Sequence, residues 1–389
     1  MFTMVNIKKY INRFVGYVLR IIPVDDTLIV FESEGDLSDN SYALYDYLKN
    51  NNLLPKYKVV WLIESKDNEI SDDNCRYILK TAKKDYLRRT MYLCTCKYYI
   101  YDHCNYIAPL VKRNKQLVVN LWHGCGFKAE NYATSKSNID LMISTSPFFN
   151  DVLSKIHGVD VDKIKPLGYP RTDYFFRPLN TAQLKLKDDF KKYKKVILWM
   201  PTFRRSNNIN LDESYFSSYT GLPVVTSEQM LLDFDSYLTE HGMLCIFKVH
   251  HLQADLPVFR NDFKNILIIS DNDVKKIGLQ LYQYIMLTDA LITDYSSIST
   301  DYMLLNKPII YTVDDYEQYN QSRGFAFDNV KQYFAGEQVL NIQELYGALD
   351  NLLLGNDLYV NFRDKINKIL NSYSDGESSY RILKAIGIE

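Results

Sequence analysis

Residues 290–300 read Ala-Leu-Ile-Thr-Asp-Tyr-Ser-Ser-Ile-Ser-Thr, an apolar run followed by a polar turn and a predicted helix at residues 298–305. The same order of apolar run, polar turn and helix recurs before and after this segment. Short apolar runs bounded by turn residues predict buried strands. They stand at residues 28–31, 57–63, 97–101, 116–121, 141–144, 196–200, 244–249, 266–269 and 308–311. Strands that alternate with helices predict parallel sheets covered by helices.

A polar, lysine-rich segment at residues 177–195 divides this pattern into two halves. We therefore predict two doubly wound, Rossmann-like α/β domains, at residues 23–180 and 190–389, with a cleft between them. The terminal helices are expected to pack back on the first domain. Neither half contains a dinucleotide-binding glycine fingerprint or a Walker loop, which disfavours dehydrogenases and P-loop enzymes.

The composition excludes several classes of protein. The 389 residues include 46 basic and 47 acidic side chains, a net charge of −1, so no global basic field for nucleic acid is expected. No run approaches the roughly 20 apolar residues of a membrane-spanning helix. The six cysteines are scattered, which is typical of reduced thiols. Cys94, Cys96, His103 and Cys104 lack the paired spacing of a zinc site, so we expect no metal or other cofactor.

The N-terminal residues 1–22 predict an amphipathic helix. They carry four cations, Lys8, Lys9, Arg13 and Arg20, and no acid, while apolar residues recur at helical spacing. Such a helix either packs on the neighbouring domain or lies in a membrane surface, with its cations on anionic headgroups. The residues alone leave both interpretations open.

The first candidate for chemistry is His123, directly after the predicted strand at residues 116–121. Gly124 and Gly126 follow it, and glycines allow backbone N–H groups to approach a ligand. An imidazole titrates near neutral pH, so His123 suits a general base or a phosphate contact. A histidine that only stabilises the turn is the alternative.

Cations and hydroxyls mark the strand ends of the second half. Arg204 follows the run at residues 196–200 and suits a phosphate clamp, although an ordinary surface arginine is equally compatible. Strand alternation puts Lys248 and His250 on one face, where they would suit a pyrophosphate. Ser296 and Ser297 would either cap the next helix or offer hydroxyls to an anion.

Two further segments complete the pattern. The loop that contains Arg323 and Asp328 would either frame a nucleotide or only shape a turn. The local sequence Asp-Gly-Glu-Ser-Ser at residues 375–379 predicts the start of a helix with good caps.

Taken in order, these motifs resemble the CDP-glycerol glycerophosphotransferase family of teichoic acid and capsule synthesis. The resemblance extends from about residue 31 to the C-terminal region. Its segments are Ser-Asp-Asn (38–40), Trp-His-Gly with Lys128, Gly-Tyr-Pro-Arg-Thr-Asp (168–173), Pro-Thr-Phe-Arg (201–204), Lys248 with His250, Thr-Asp-Tyr-Ser-Ser (293–297), Lys-Pro-Ile-Ile-Tyr (307–311), Arg-Gly-Phe-Ala-Phe-Asp (323–328) and Asp-Gly-Glu-Ser-Ser-Tyr-Arg-Ile (375–382).

The resemblance implies a GT-B fold and an enzyme that works at the cytoplasmic face of the cell membrane. It would transfer a polyol phosphate from CDP-glycerol or CDP-ribitol to a polyprenyl-pyrophosphate-linked saccharide or growing polymer, releasing CMP. By resemblance, His123 would be the base, and His250 and Arg204 would stabilise the departing CMP. The donor would contact Lys248, Thr293, Asp294, Ser296, Ser297, Arg323 and Asp328, and the acceptor side would include Gly124, Lys128, Asp39 and Asn40.

The sequence departs from the family pattern at two places. Cys125, Gly126 and Phe127 stand where the family usually has Thr-Pro-Leu, and His251 stands where it usually has proline. A UDP-sugar glycosyltransferase or epimerase remains an alternative, because fold alone does not assign function. A non-catalytic scaffold of a membrane polymer-synthesis complex is the other.

Overall fold

The computed structural model describes residues 14–68, 75–103, 112–202, 220–248 and 257–389. Backbone contacts divide the chain into two compact units. Unit 1 comprises the chain up to His123, Tyr132–Tyr174 and Asp375–Glu389, and unit 2 comprises Gly124–Asn131 and Phe175–Ser374. Near the boundary predicted at residues 180–190, the chain passes from unit 1 to unit 2 between Tyr174 and Phe175.

Unit 1 contains a seven-stranded parallel sheet in the order β3-β2-β1-β4-β5-β6-β7. Its strands are β1 (Asp25–Glu32), β2 (Lys58–Ile63), β3 (Cys75–Leu79), β4 (Cys96–Tyr101), β5 (Leu117–Asn120), β6 (Leu141–Ile143) and β7 (Ile164–Lys165). The connecting helices are α1 (Asp39–Asn50), α2 (Tyr86–Thr95) and α3 (Asn150–His157). Chain order reverses between β1 and β4, so the carboxyl ends of these strands form the position where α/β sheets bind ligands.

Unit 2 repeats this topology with six parallel strands in the order β10-β9-β8-β11-β12-β13. Its strands are β8 (Lys195–Trp199), β9 (Met243–Phe247), β10 (Ile266–Ile268), β11 (Ala290–Thr293), β12 (Ile309–Thr312) and β13 (Glu337–Val339). Its helices are α4 (Thr181–Phe190), α5 (Glu228–His241), α6 (Asp271–Lys276), α7 (Leu281–Ile285), α8 (Ile298–Tyr302), α9 (Tyr316–Ser322), α10 (Ile342–Leu354) and α11 (Val360–Leu370). Chain order reverses between β8 and β11, which places the corresponding ligand position there.

The final helix, α12 (Ser378–Ala385), belongs to unit 1. Short 3-10 turns complete both units, at Leu19–Ile21, Leu54–Lys56, Lys66–Asn68, Lys83–Asp85, Pro147–Phe149, Val161–Lys163, Pro170–Phe176, Pro257–Arg260, Met303–Leu305 and Val330–Tyr333.

Burial of both sheet faces explains the continuous apolar runs. Each core contains a stacked aromatic pair, Phe31 with Trp61 in unit 1 at 5.0 Å between ring centroids and Trp199 with Phe247 in unit 2 at 4.9 Å. All four side chains are fully buried. Parallel strands covered by helices on both faces require this composition. The strand ends, where the runs stop, are therefore the places where polar side chains reach the surface of each sheet.

Only the end of the predicted N-terminal helix lies within the described residues, with residues 14–18 helical and Leu19–Ile21 in a 3-10 turn. Among the described parts of the chain, no helix is both long and apolar enough to cross a membrane.

Candidate active site

In unit 1, His123 stands three residues after β5 and is half-buried. The residue before it, Trp122, has φ +54°, a left-handed conformation that is uncommon for a bulky side chain. Its N–H donates to Oδ1 of Asn120 at 2.7 Å, and its ring centroid lies 4.0 Å from that of His123. The candidate base is thus carried by a strained turn at the carboxyl end of a strand.

Asp39 and Asn40 lie close to this turn. Asn40 is fully buried; its Nδ2 donates to the carbonyl of Trp122 at 2.7 Å, and its Oδ1 accepts the N–H of Arg171 at 3.1 Å. The Arg171 guanidinium Nη1 lies 2.8 and 2.9 Å from the two carboxylate oxygens of Asp39. Three predicted motifs therefore meet, through Asn40, Trp122 and Arg171, at one hydrogen-bonded cluster in unit 1. Because Asn40 has no exposed surface, it is not placed to touch an acceptor directly.

Buried charges support the loop that carries Asp39. Asp102, at the end of β4, accepts the N–H groups of Glu34 and Ser41 at 3.2 and 2.9 Å. Lys80 is buried, and its Nζ lies 3.4 Å from Oε1 of the buried Glu32. Asp102 thus holds the loop on both sides of Asp39. The sequence alone assigned no role to Asp102, Lys80 or Glu32.

His103 belongs to the same buried cluster. Its Nδ1 lies 3.3 Å from Oδ1 of Asp102. Burial alone would lower the pKa of His103, but the hydrogen bond to Asp102 and the negative charges of Asp102 and Glu32 raise it above its ordinary value. A protonated His103 would balance part of the negative charge buried beneath the loop.

In unit 2, Asp294 joins the ends of β8 and β11. Asp294 is fully buried, and its carboxylate accepts two hydrogen bonds from Thr202, from the N–H at 2.9 Å and from the side-chain hydroxyl at 2.7 Å. It also accepts the N–H of Ser296 at 3.1 Å. Thr293 is also buried and donates its hydroxyl to the carbonyl of Met200 at 2.8 Å. Thr293 and Asp294 therefore shape the turn, and their side chains do not face solvent.

Ser296 and Ser297 occupy the outer part of the same turn and are half-buried. Ser297 is the N-cap residue of α8, but its side chain makes no capping hydrogen bond. The capping alternative raised by the sequence thus does not account for its hydroxyl. These two hydroxyls, at the position where the chain order of the sheet reverses, are the groups of residues 293–297 that remain available to an anion.

Residues 124–131, which follow His123 in the chain, belong to unit 2. Lys128 pairs with Phe325 in an antiparallel bridge, and the Ala129 N–H donates to the Gly324 carbonyl at 3.0 Å. We call residues 126–129 and 324–326 together the ribbon, and we call the turn at residues 293–297 the serine turn. This pairing places Lys128, predicted on the acceptor side, with the unit that carries Ser297. Gly124, also predicted on the acceptor side, belongs to the same unit.

The ribbon approaches the serine turn closely. A Cβ atom built on Gly126 would lie 3.0 Å from Cβ of Ser297, so the departure from the family's proline coincides with a close backbone contact. Phe127 is buried and stacks on Tyr333 at 5.7 Å. The unusual Cys-Gly-Phe sequence is therefore part of the packing around the serine turn.

The remaining predicted donor residues have different environments. Arg323 pairs with Glu130 at 3.0 Å, which ties its side chain to the segment beside the ribbon. Lys248 follows β9 and pairs with Asp271 at 3.1 Å. Asp328 is exposed. The other two predicted catalytic residues, Arg204 and His250, lie outside the described residues.

The family described as CDP-glycerol:poly(glycerophosphate) glycerophosphotransferase matches residues 15–387. The chain belongs to this family. The predicted family and enzyme class are confirmed.

Two curated members of the family illustrate its range. The teichoic acid poly(glycerol phosphate) polymerase of Bacillus spizizenii is 26% identical, over 84% of this chain and 82% of its own length. The teichoic acid glycerol-phosphate primase of Bacillus subtilis is 27% identical, over 92% of this chain and 90% of its own length. The glycerophosphotransferase chain described here thus resembles both a polymerase and a primase along most of its length.

Among solved structures, the wall teichoic acid polymerase TagF has the same fold. It superposes with a TM-score of 0.76 at 19% identity, covering 99% of this chain and 94% of that chain. The predicted GT-B-like architecture of two parallel-sheet α/β domains is confirmed.

Proposed function

We propose that this glycerophosphotransferase moves a polyol phosphate from CDP-glycerol or CDP-ribitol to a hydroxyl group of a lipid-linked saccharide or growing teichoic acid chain. The family match over residues 15–387 carries this proposal. The half-buried His123, on a strained turn at a strand end, supports it by supplying a candidate base. Strained backbone conformations persist only where the surrounding structure holds them in place, and they cluster at active sites.

In the proposed reaction, the acceptor oxygen attacks the distal phosphorus of the donor, and His123 accepts the hydroxyl proton. A new P–O bond forms to the acceptor as the bond to the bridging oxygen breaks, and CMP leaves with that oxygen. An unperturbed imidazole, with a pKa of about 6.5, is neutral enough near pH 7 to accept a proton.

On the donor side, Ser296 and Ser297 would hold phosphate oxygens, with Lys248, Arg204 and His250 supplying positive charge. Positioning and charge stabilisation provide most of the acceleration in phosphoryl transfer. Thr293 and Asp294 would act indirectly, because their side chains are used to shape the turn. Arg323 would influence the donor through its pairing with Glu130 beside the ribbon.

The direct test is release of CMP from CDP-glycerol and CDP-ribitol, with a lipid-linked acceptor, compared with release of UDP from UDP-sugars. We expect CMP release to fall by at least about 100-fold in His123→Ala, a typical contribution of a general base, while donor binding is retained. His241→Ala, in α5, is the matched control and should keep its activity. UDP release without CMP release would overturn the proposal, and full activity of His123→Ala would overturn the role of the base.

We further propose that the enzyme docks on the cytoplasmic face of the cell membrane through the end of its N-terminal helix. Phe14 and Ile21 are 69% and 86% exposed, and Arg20 lies between them in the chain. Within unit 1, Arg113 holds the end of this segment by donating to the carbonyl of Ile22 at 2.6 Å. Exposed apolar residues beside a cation suit a surface of anionic lipid.

Vesicle flotation tests this docking. Ile21→Glu should weaken binding to vesicles that contain anionic lipid, because it places a charge in the apolar face. Leu358→Glu changes an equally exposed leucine of unit 2, also 86% exposed, and should bind as the wild type does. Equal binding of all three proteins would contradict the assignment of this surface.

A further inference from the structure

Trp122 is held in its left-handed conformation from three directions. Its N–H is bound by Oδ1 of Asn120, and its carbonyl is bound by Nδ2 of Asn40, both at 2.7 Å. Its indole meets the ring of His157 edge-on, with centroids 4.1 Å apart and an interplanar angle of 73°. A conformation that costs about 1–3 kcal/mol is thus over-determined by its neighbours.

The position of Trp122 determines what this clamp can control. Its carbonyl and the backbone nitrogen of His123 belong to the same peptide group. A hydrogen bond to that carbonyl therefore fixes the plane of the peptide group, and with it the Cα atom that carries the imidazole. The two rings also lie 4.0 Å apart. Any rotation of this peptide would therefore move the base relative to its target, and displacements of about 1 Å can cost 100-fold in rate.

Asn40 is the part of the clamp that comes from a distant region of the chain. Both ends of its amide are used, since Oδ1 accepts the N–H of Arg171 while Nδ2 reaches Trp122. Arg171 in turn holds Asp39, which has φ +55°, next to Asn40. These contacts orient the amide so that its donor end, and not its acceptor end, faces the carbonyl of Trp122.

We propose that Asn40 is a positioning residue for the transfer reaction, which orients the His123 imidazole through the carbonyl of Trp122. This inference rests on the proposed function, because it assigns Asn40 to the base of that reaction. It differs from the acceptor-side contact that the family resemblance implies for Asn40, since a fully buried amide with both ends bonded acts only through its protein neighbours.

The test removes the donor that Asn40 offers to the carbonyl of Trp122 and keeps the acceptor that it offers to Arg171. Asn40→Asp keeps the shape and the acceptor for Arg171 but replaces the donor that Trp122 needs. We expect kcat to fall about 10- to 100-fold, equally for every acceptor and for hydrolysis by water, with the KM values of donor and acceptor within twofold of the wild type. Asn120→Asp introduces the same buried carboxylate but keeps the acceptor for the Trp122 N–H, so it should lose less activity than Asn40→Asp.

A double-mutant cycle separates positioning from general damage. If Asn40 acts through His123, adding Asn40→Asp to His123→Ala should lower the residual rate by less than twofold. Multiplication of the two effects would overturn the inference, as would a raised acceptor KM with unchanged kcat. Asn265→Asp, which alters an amide that donates to the Met243 carbonyl in unit 2, should leave the rates unchanged.

Two safeguards keep the outcome interpretable. If Asn40→Asp does not fold, as judged by thermal unfolding, the uncharged Asn40→Ser takes its place in the same cycle and the same criteria apply. Absence of CMP release by the wild-type protein would refute the proposed function, whereas CMP release with independent effects of Asn40 and His123 would refute only this inference.

Discussion

The carboxylate of Asp173 accepts the backbone N–H of Ser379 at 2.8 Å, although 206 residues separate them in the chain. Its other oxygen accepts the N–H of Ser378 at 2.9 Å. The carboxylate therefore satisfies two of the donors that the first turn of α12 would otherwise leave unpaired. In this way a residue of the 168–173 motif caps the last helix of unit 1.

Removing this cap should destabilise unit 1. We expect Asp173→Ala to lower the free energy of unfolding by about 1–2 kcal/mol, the usual cost of a lost helix cap. Asp173→Asn keeps one strong acceptor and should lose less. Urea unfolding monitored by circular dichroism measures both variants, and unchanged midpoints would show that α12 does not depend on this contact.

Gly126→Ala should impair use of the donor. The new methyl group would lie 3.0 Å from Cβ of Ser297, so the ribbon or the serine turn must shift. We expect kcat/KM for the CDP-polyol to fall about 10-fold, because tight packing transmits small displacements.

Gly347→Ala provides the matched control for this substitution. A Cβ at this position, inside α10, would meet nothing within 4 Å beyond the backbone of its own helix, so alanine should leave activity intact and raise stability by about 0.5–1 kcal/mol. Wild-type kinetics in Gly126→Ala would show that the ribbon tolerates the added methyl group without moving the serine turn.

His157 should make stability fall in mild acid. Its Nε2 is buried and has no hydrogen-bond partner among the described residues, and burial lowers its pKa to about 4. The unfolded chain takes up a proton below about pH 6.5, whereas the folded state does so only below about pH 4. The free energy of unfolding therefore decreases as pH falls through this window, by at most about 3 kcal/mol from this residue.

His157→Phe keeps a ring against Trp122 but removes the titrating group. Its stability advantage over the wild type should grow between pH 6.5 and pH 4, as measured by urea midpoints at several pH values. Parallel pH profiles for the two proteins would contradict the role of His157.

Thr202→Val tests the junction between β8 and β11. Asp294 would lose its hydroxyl donor while remaining fully buried, at an expected cost of about 1–2 kcal/mol. The KM of the donor should rise as well, since Ser296 is held by the same carboxylate. Thr202→Ser keeps the hydroxyl and should behave nearly as the wild type, so equal losses in both variants would argue against the hydrogen bond as the cause.

Local pattern was sufficient for most of the fold. The strands β8 and β11 are continuous apolar runs that end in polar turns, so hydrophobic periodicity identifies them and places Asp294 and Ser297 at a sheet edge. The edge strand β3 escapes this reasoning, because only one of its five residues is buried. The two-residue strand β7 is too short to produce a pattern.

Contacts between distant residues explain why part of the site was not predicted. Arg171 lies within a motif that the sequence singled out, but no periodicity indicates that its partner is Asp39. His157 ends an ordinary amphipathic helix and gives no signal of its contact with Trp122. A helix does begin at Ser378, as residues 375–379 predict, but Glu377 makes no side-chain capping bond. The acceptors for its first turn come from the distant Asp173, which no local pattern indicates.

The pairing of residues 127–129 with residues 324–326 has a consequence for exchanging parts among relatives. The chain passes from one unit to the other four times, at 123/124, 131/132, 174/175 and 374/375. A chimaera made by a single crossover near residue 175 would therefore leave the exchanged part of unit 2 with a foreign partner for its loop at residues 324–326. To transfer donor specificity between relatives, an exchange of unit 2 should therefore include residues 124–131.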